Sequence, residues 1–450
     1  MMKFYDQLIN KKTQSINLSP PSLLALGFLS FIIIGTLLLK LPFAHEGNVS
    51  WLEALFTATS AVTITGLSVV NIGEAYTTFG QFIIMLLIQC GGLGFMTFAI
   101  LAALSLSTKL GLEQQVMAQE TIGQTSLARA SFTVKAVLLY SLFFEGIGTF
   151  ILTFTWLQYY DFSDALFYAA FYSISAFNNG GFSLFPDSLM SFSGQYAVTL
   201  TISMLYIIGG IGFVVLMDIK RAHKWKKLST NSKLILSTIA GLNLFAFIMI
   251  WCLEANNPLT LAPMSIGDQA LNAWFHATVP RSSGFNSIDM ASMSDPATLV
   301  TMLLMFIGGG SLSTAGGIKV GTFIIVVLSV ITFLRRADEV TVFKHSIPAT
   351  VTYKALAVIS ITAMLIFIGF FTLLILEPNK RFLDLLFEAV SAACTVGLSR
   401  GITSELQPAS LYMLMILMFA GRLGPLTLAY LIATPKKSRL SHPNAEIQVG

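Results

Sequence analysis

Runs of about twenty apolar residues alternate with short polar stretches along almost the whole chain, and a run of that length carries a helix across a hydrocarbon core about 30 Å thick. The runs fall at Ser22–Leu41, Thr78–Leu104, Thr133–Tyr159, Tyr196–Ile219, Ser232–Leu253, Ala297–Leu334, Thr350–Leu376 and Ser410–Ile432. They predict an all-α membrane protein with eight spans. Between the members of each successive pair of runs lies a longer segment whose middle is too apolar for a loop bathed in water. Each such segment reads as a helix that enters the membrane and turns back.

These segments share a pattern. The stretches Thr59–Ser68, Ile174–Ser183, Ala277–Asn286 and Val390–Ser399 each pass from a helix-like run to Ser or Thr and, six residues later, to a glycine followed by Leu or Phe. A second glycine group recurs inside the following run, at Gly91-Gly92-Leu93-Gly94, Gly209-Gly210-Ile211-Gly212, Gly309-Gly310 and Gly421-Arg422-Leu423-Gly424, where it predicts a break in the helix. Self-similarity at a fixed period is the mark of repeated units. The chain therefore reads as four tandem copies of helix, re-entrant pore loop and helix around one central pore: 21–108, 133–220, 232–335 and 350–434. Linkers 109–132, 221–231 and 336–349 join them, between tails 1–20 and 435–450.

Non-helical backbone at membrane depth survives only when buried in protein or lining a watery cavity. Glycine accepts dihedrals that turn successive carbonyls one way. Four converging loops thus predict a ring of carbonyl oxygens able to replace the hydration shell of a monovalent cation. The predicted filter backbone comprises Val62, Thr63, Ile64, Thr65 and Gly66, then Phe177, Asn178, Asn179, Gly180 and Gly181, then Pro280, Arg281, Ser282, Ser283 and Gly284, and finally Ala393, Cys394, Thr395, Val396 and Gly397. A lone membrane glycine is more often a packing contact. Recurrence in register favours the filter.

Composition agrees with a membrane protein. Of 450 residues 55% are hydrophobic and only 11% charged, so the net charge of +4 cannot track a nucleic-acid backbone. Nineteen of the 26 Lys and Arg residues lie in the segments grouped with the termini, which predicts cytoplasmic termini. The opposite side carries Glu46, Glu53, Glu74, Asp161, Asp187, Asp268 and Asp295, an acidic mouth that would concentrate cations. The basic cluster from Lys220 to Lys233 sets topology or docks a cytosolic partner. The polar start, with Lys3, Lys11 and Lys12, does not read as a cleavable signal. Cys90, Cys252 and Cys394 lie far apart and support neither a zinc site nor a disulfide framework. No phosphate-binding glycine loop with a terminal Lys occurs, so any nucleotide binds a partner.

Two basic residues remain inside the membrane, where their cost points to function. Lys319 ends a stretch no helix tolerates comfortably, Gly308, Gly309, Gly310, Ser311, Leu312, Ser313, Thr314, Ala315, Gly316, Gly317 and Ile318. That stretch, 308–318, reads as an unwound gating loop beneath the filter with Lys319 anchoring its cytoplasmic end; the alternative is a static kink. Arg422 reads as a positive barrier near the pore axis, or as a buried Arg satisfied by carbonyls or by Glu145.

With Val62 to Leu67, Ser175 to Phe182, Pro280 to Asn286, Ser313 to Lys319 and Gly421 to Pro425, the chain resembles the superfamily of K+ transporters that contains the bacterial Trk and Ktr systems and the plant and fungal HKT and Trk proteins. Its eight runs and its ending Ile447-Gln448-Val449-Gly450 resemble the KtrB branch. The resemblance implies a K+ uptake subunit in the cell membrane, often Na+-dependent, that forms a homodimer with one pore per subunit on a cytosolic KtrA-type nucleotide-binding ring. It implies no bound cofactor and no metal other than K+ in the filter. Leu312 departs from the pattern, which has a small residue there. Two other readings are a secondary carrier of Na+ or a small solute with a midplane site, and an intramembrane hydrolase built on His276 with Ser282 or Ser283. The second lacks the usual nucleophile context, and the parallel order of the copies disfavours the first.

Overall fold

The computed structural model describes residues 20–107 and 128–425, together with Thr427. The expectations for the two tails, for most of the linker 109–132 and for the end of the eighth run lie outside the described residues.

In chain order the helices of ten residues or more are α1 (Pro20–Leu39), α2 (Trp51–Thr63), α3 (Thr78–Ser107), α4 (Ala128–Trp156), α5 (Phe162–Phe177), α6 (Tyr196–Ile211) and α7 (Phe213–Ala222). There follow α8 (Thr230–Glu254), α9 (Ile266–Thr278), α10 (Asp295–Phe306), α11 (Val320–Leu334), α12 (Ala349–Leu376), α13 (Phe382–Ala393) and α14 (Pro408–Leu423). Four of them, α1, α4, α8 and α12, contain single helical stretches long and apolar enough to cross a membrane. Leu139, Leu142, Phe150 and Phe154 of α4, and Met364, Phe367, Phe371 and Ile375 of α12, are exposed on the outside. Large side chains bare on that scale face lipid, and the chain is a multi-pass membrane protein.

After each of these long helices comes a short one, α2, α5, α9 or α13. Its start is set locally. Ser50 and Glu53 form a reciprocal capping box on α2, and the Ser265 hydroxyl accepts from the Asp268 N–H on α9. The short helices are buried against one another's neighbours: α3 packs on α4 and α5, α6 on α9, α10 on α13, and α14 returns to α2. The groups thereby close on themselves, around a continuous apolar core that includes Phe56, Phe171, Phe275 and Phe387.

The remaining apolar runs are not simple spans. Helix α3 continues unbroken through Gly91–Gly94, where the glycines predicted a break; a helix interior tolerates glycine at about 1 kcal/mol per residue. Between α6 and α7 the axis turns by 92° at Gly212, whose φ is +103°. Helices α10 and α11 are separated by non-helical residues 307–319, and α14 stops before Gly424, φ +81°. The linker 336–349 holds the one β-sheet among the described residues, an antiparallel hairpin of β1 (Val340–Val342) and β2 (His345–Ile347).

Two buried carboxylates tie long helices to the starts of later ones. Glu254, at the end of α8, accepts from the N–H and hydroxyl of Ser294, the N-cap of α10, at 3.0 and 2.6 Å. Glu377, after α12, accepts from the N–H of Gln407, the N-cap of α14, and from the Ser410 hydroxyl at 2.6 and 2.8 Å.

Candidate ion-conducting site

The four glycine loops start where the short helices end, and their backbones follow one rule. Ile64 and Gly66, Asn179 and Gly181, Ser282 and Gly284, and Thr395 and Gly397 all have positive φ. In each loop the left-handed residues are two apart. Alternation of left-handed residues with one of negative φ is the kind of backbone that lets successive carbonyls face one side. For β-branched Ile64 and Thr395 this conformation is an outlier that only surrounding structure can hold. The sequence pattern placed Ile64, Asn179, Ser282 and Thr395 in the predicted filter backbone but assigned special backbone geometry to the glycines alone.

The fixed spacing from Ser to glycine has a physical cause. Ser60 Oγ accepts from Gly66 N–H at 3.0 Å and Ser391 Oγ from Gly397 N–H at 3.1 Å. In the second loop Ser175 Oγ accepts instead from Phe182 N–H at 3.0 Å. In the third, Thr278 Oγ1 pairs with the Tyr206 hydroxyl at 2.6 Å.

The four glycines meet. A methyl group on Gly66 would sit 3.0 Å from Gly181 Cα, one on Gly181 2.8 Å from Gly284 Cα, one on Gly284 3.4 Å from Gly397 Cα, and one on Gly397 3.0 Å from Gly66 Cα. The chain order therefore closes into a ring of backbone. Val62, Thr63, Phe177 and Ala393, predicted as filter backbone, lie in the last turns of α2, α5 and α13 instead. Above the ring opens a cavity of about 350 Å³ lined by all four glycines with Ser68, Ser183, Asn286, Ser399 and Thr403. Among the described residues no carboxylate lines it, so the acidic mouth expected from the sequence is not at the cavity wall.

The first glycine of three inner groups packs against a short-helix terminus. Methyls on Gly91, Gly209 and Gly421 would lie 2.2, 2.0 and 2.0 Å from the carbonyl oxygens of Val62, Phe177 and Ala393. At these positions the glycines provide close approach.

Only between α10 and α11 does the glycine-rich stretch form a loop, and it touches the second and third glycine loops and, at Gly316, the fourth. Gly310 N–H donates to Gly210 O at 2.8 Å, and Thr314 Oγ1 lies 3.2 Å from Phe177 O and 3.0 Å from Asn179 Oδ1. Gly316 N–H donates to Ser282 Oγ at 2.8 Å, and that hydroxyl donates to Thr395 O at 2.7 Å. Leu312, left-handed at φ +54°, accepts from Phe213 N–H through its carbonyl at 3.0 Å. Gly308, Gly309 and Ser313 are buried within the same loop and Gly317 is half-buried, whereas Ser311 is exposed.

Lys319 caps the loop by donating to Ala315 O at 2.7 Å and stands at the N-cap of α11. Arg422, 7% exposed, donates through Nη1 to Thr314 O at 2.8 Å and through Nη2 to Gly91 O at 2.9 Å. The Glu145 partnership is corrected: Glu145 accepts from Gln89 and Asn178. His276 Nε2 accepts from the N–H groups of Ser287 and Ile288 at 3.2 Å, which makes it a brace for the third loop.

Lipid-facing helices packed around this ring of backbone define an integral membrane protein. Residues 22–441 match the family described as TrkH, cation transport protein, and the chain belongs to that family. It is a transporter and not an enzyme. It is similar to Ktr system potassium uptake protein B of Bacillus subtilis (strain 168), 44% identical over 98% of this chain and 99% of that one. It is also similar to Ktr system potassium uptake protein B of Vibrio alginolyticus, 38% identical over 96% of this chain and 95% of that one. Among solved structures it resembles the potassium transporter TrkH from Vibrio parahaemolyticus, with a TM-score of 0.74 at 21% identity over 94% of this chain and 86% of that one, a likeness of fold. The family to which the sequence motifs pointed is the one found.

Proposed function

We propose that the chain is a channel-like K+ uptake subunit that conducts K+ through the ring formed by the four glycine loops. In this reading the units 21–108, 133–220, 232–335 and 350–434 surround one pore. The observation that carries the reading is the closure of Gly66, Gly181, Gly284 and Gly397 with left-handed backbone at both members of each pair. Carbonyls fixed in that way substitute for ion hydration without using any side-chain charge. The similarity to potassium uptake proteins over nearly the whole chain supports K+ as the ion.

The loop 308–318 is the gate, held across the conduction path by Arg422 and anchored by Lys319. A homodimer on a cytosolic nucleotide-binding ring, cytoplasmic termini and activation by Na+ belong to the same reading. Support for them comes from the charge distribution of the sequence and from the resemblance to Ktr membrane subunits. The deciding experiment is flux of radiolabelled Rb+ into vesicles containing the purified protein, competed in turn by K+, Na+ and small organic cations. Competition by K+ at far lower concentration than by Na+ is expected. Equal competition by Na+, or flux of an organic solute instead, overturns the assignment in favour of a carrier.

A further inference from the structure

Glu145 is a carboxylate buried in the middle of α4, 5% exposed, with the second glycine loop directly beside it. Asn178, the first residue of that loop and fully buried, extends Nδ2 to Glu145 Oε1 at 3.0 Å, to Gln89 Oε1 of α3 at 2.7 Å and to Ile174 O at 2.9 Å. Gln89 Nε2 in turn donates to Glu145 Oε2 at 3.1 Å. Space for the amide comes from Gly92, where a methyl would lie 2.0 Å from Asn178 Oδ1. A side chain of the loop is thus bonded to two different helices.

The residue at the same offset from the first glycine, Thr63 at the end of α2, bonds within its own segment, to Thr59 O and Thr65 Oγ1. The second loop needs an outside anchor for a physical reason. It carries two consecutive glycines, Gly180 and Gly181, and its Ser175 hydroxyl is bonded to Phe182 N–H rather than to the glycine. The next residue, Asn179, faces the intramembrane loop at Thr314. A carboxylate inside a membrane is costly enough that mere adhesion of two helices does not explain it.

We infer that Glu145 is a positioning residue which, with Gln89, fixes Asn178 and so the direction of the carbonyls from Asn178 to Gly181 and the preference for K+ over Na+. This rests on the reading of the glycine loops as the filter. The test is Rb+ uptake by vesicles holding wild type, Glu145→Leu, Glu145→Gln, Gln89→Leu or Asn178→Leu at matched protein, scored by half-saturating K+ and by the ratio of Na+ to K+ in competition. Glu145→Leu is expected to lower that ratio by about tenfold, the scale of a lost hydrogen bond to a charged group. Glu145→Gln restores part of it, and Glu145→Leu with Asn178→Leu falls no further than either alone. A role in helix adhesion alone predicts less protein or a lower melting temperature with an unchanged ratio, and that outcome overturns the proposal. Should Glu145→Leu not accumulate, an unchanged ratio in both Glu145→Gln and Gln89→Leu overturns it equally. Gly181→Ser serves as the control: if it shifts K+ affinity while the Glu145 variants do not, only the positioning role fails, and if it too is silent the filter reading itself falls.

Discussion

Arg422 and Thr314 are joined by a hydrogen bond of 2.8 Å from the guanidinium Nη1 to the backbone carbonyl, more than a hundred residues apart in sequence. The other end of the same guanidinium donates to Gly91 O. One side chain therefore bridges α14, the intramembrane loop and α3. If that loop is the proposed gate, steric closure and like-charge repulsion would act there together.

Releasing the bridge is expected to open the path. Arg422→Ala, or deletion of part of Gly309–Gly316, raises the maximal rate of Rb+ flux, since even about 3 kcal/mol of added barrier corresponds to roughly a hundredfold in rate. Vesicle flux with and without the proposed cytosolic nucleotide-binding ring measures it. A loop deletion that reaches the membrane and transports no faster argues for a static kink.

Lys319 bonds only to the loop's own Ala315 carbonyl among the hydrogen bonds described for its Nζ. Lys319→Ala should leave K+ affinity within about twofold of wild type while weakening the dependence of flux on the partner. A change in affinity as large as that of a ring glycine variant would relocate Lys319 to the conduction path.

The ring glycines should differ in severity. Gly397→Ala places a methyl 2.0 Å from Thr65 O, backbone that cannot yield, whereas Gly181→Ala meets Gly284 Cα at 2.8 Å. Both strain a positive φ. Half-saturating K+ should rise by about tenfold or more for Gly397→Ala and by less for Gly181→Ala, as read from uptake curves. Identical curves for both and for wild type would remove the ring from the mechanism.

Packing glycines should instead affect stability. Gly421→Ala puts a methyl 2.0 Å from Ala393 O, while Gly241 of α8 has nothing within 4 Å. Overpacking costs about 1–3 kcal/mol, and alanine in an open helix interior gains about 0.5–1 kcal/mol. Thermal unfolding in detergent should therefore fall for Gly421→Ala and hold or rise for Gly241→Ala.

Truncating the buried caps tests how the long helices are joined. Glu254→Ala and Glu377→Ala each remove the acceptor for largely part-buried donors at the start of a later helix, at a cost of about 0.5–1.5 kcal/mol per bond. The two sites share no residue, so the double variant should lose nearly the sum. A double variant no less stable than either single one would show that the sites are coupled.

The hydrophobic runs, the four glycine motifs and their common spacing were legible in the sequence because membrane helices and left-handed turns are local demands, met by residues near in the chain. So was the family. Which glycine group becomes a loop was not: Gly91–Gly94 stay helical while 307–319 unwind, and that choice depends on neighbours far away in sequence, Val62 O against Gly91 in one case and Gly210, Ser282 and Arg422 against the loop in the other. The partner of Glu145 was likewise undecidable from the letters, since an Arg and an Asn both satisfy a buried carboxylate and only the packing of α3, α4 and α5 brings Asn178 to it. Closure of the ring is the clearest case. Each glycine specifies only its own backbone turn, and the return of α14 onto α2 is what sets the fourth loop against the first.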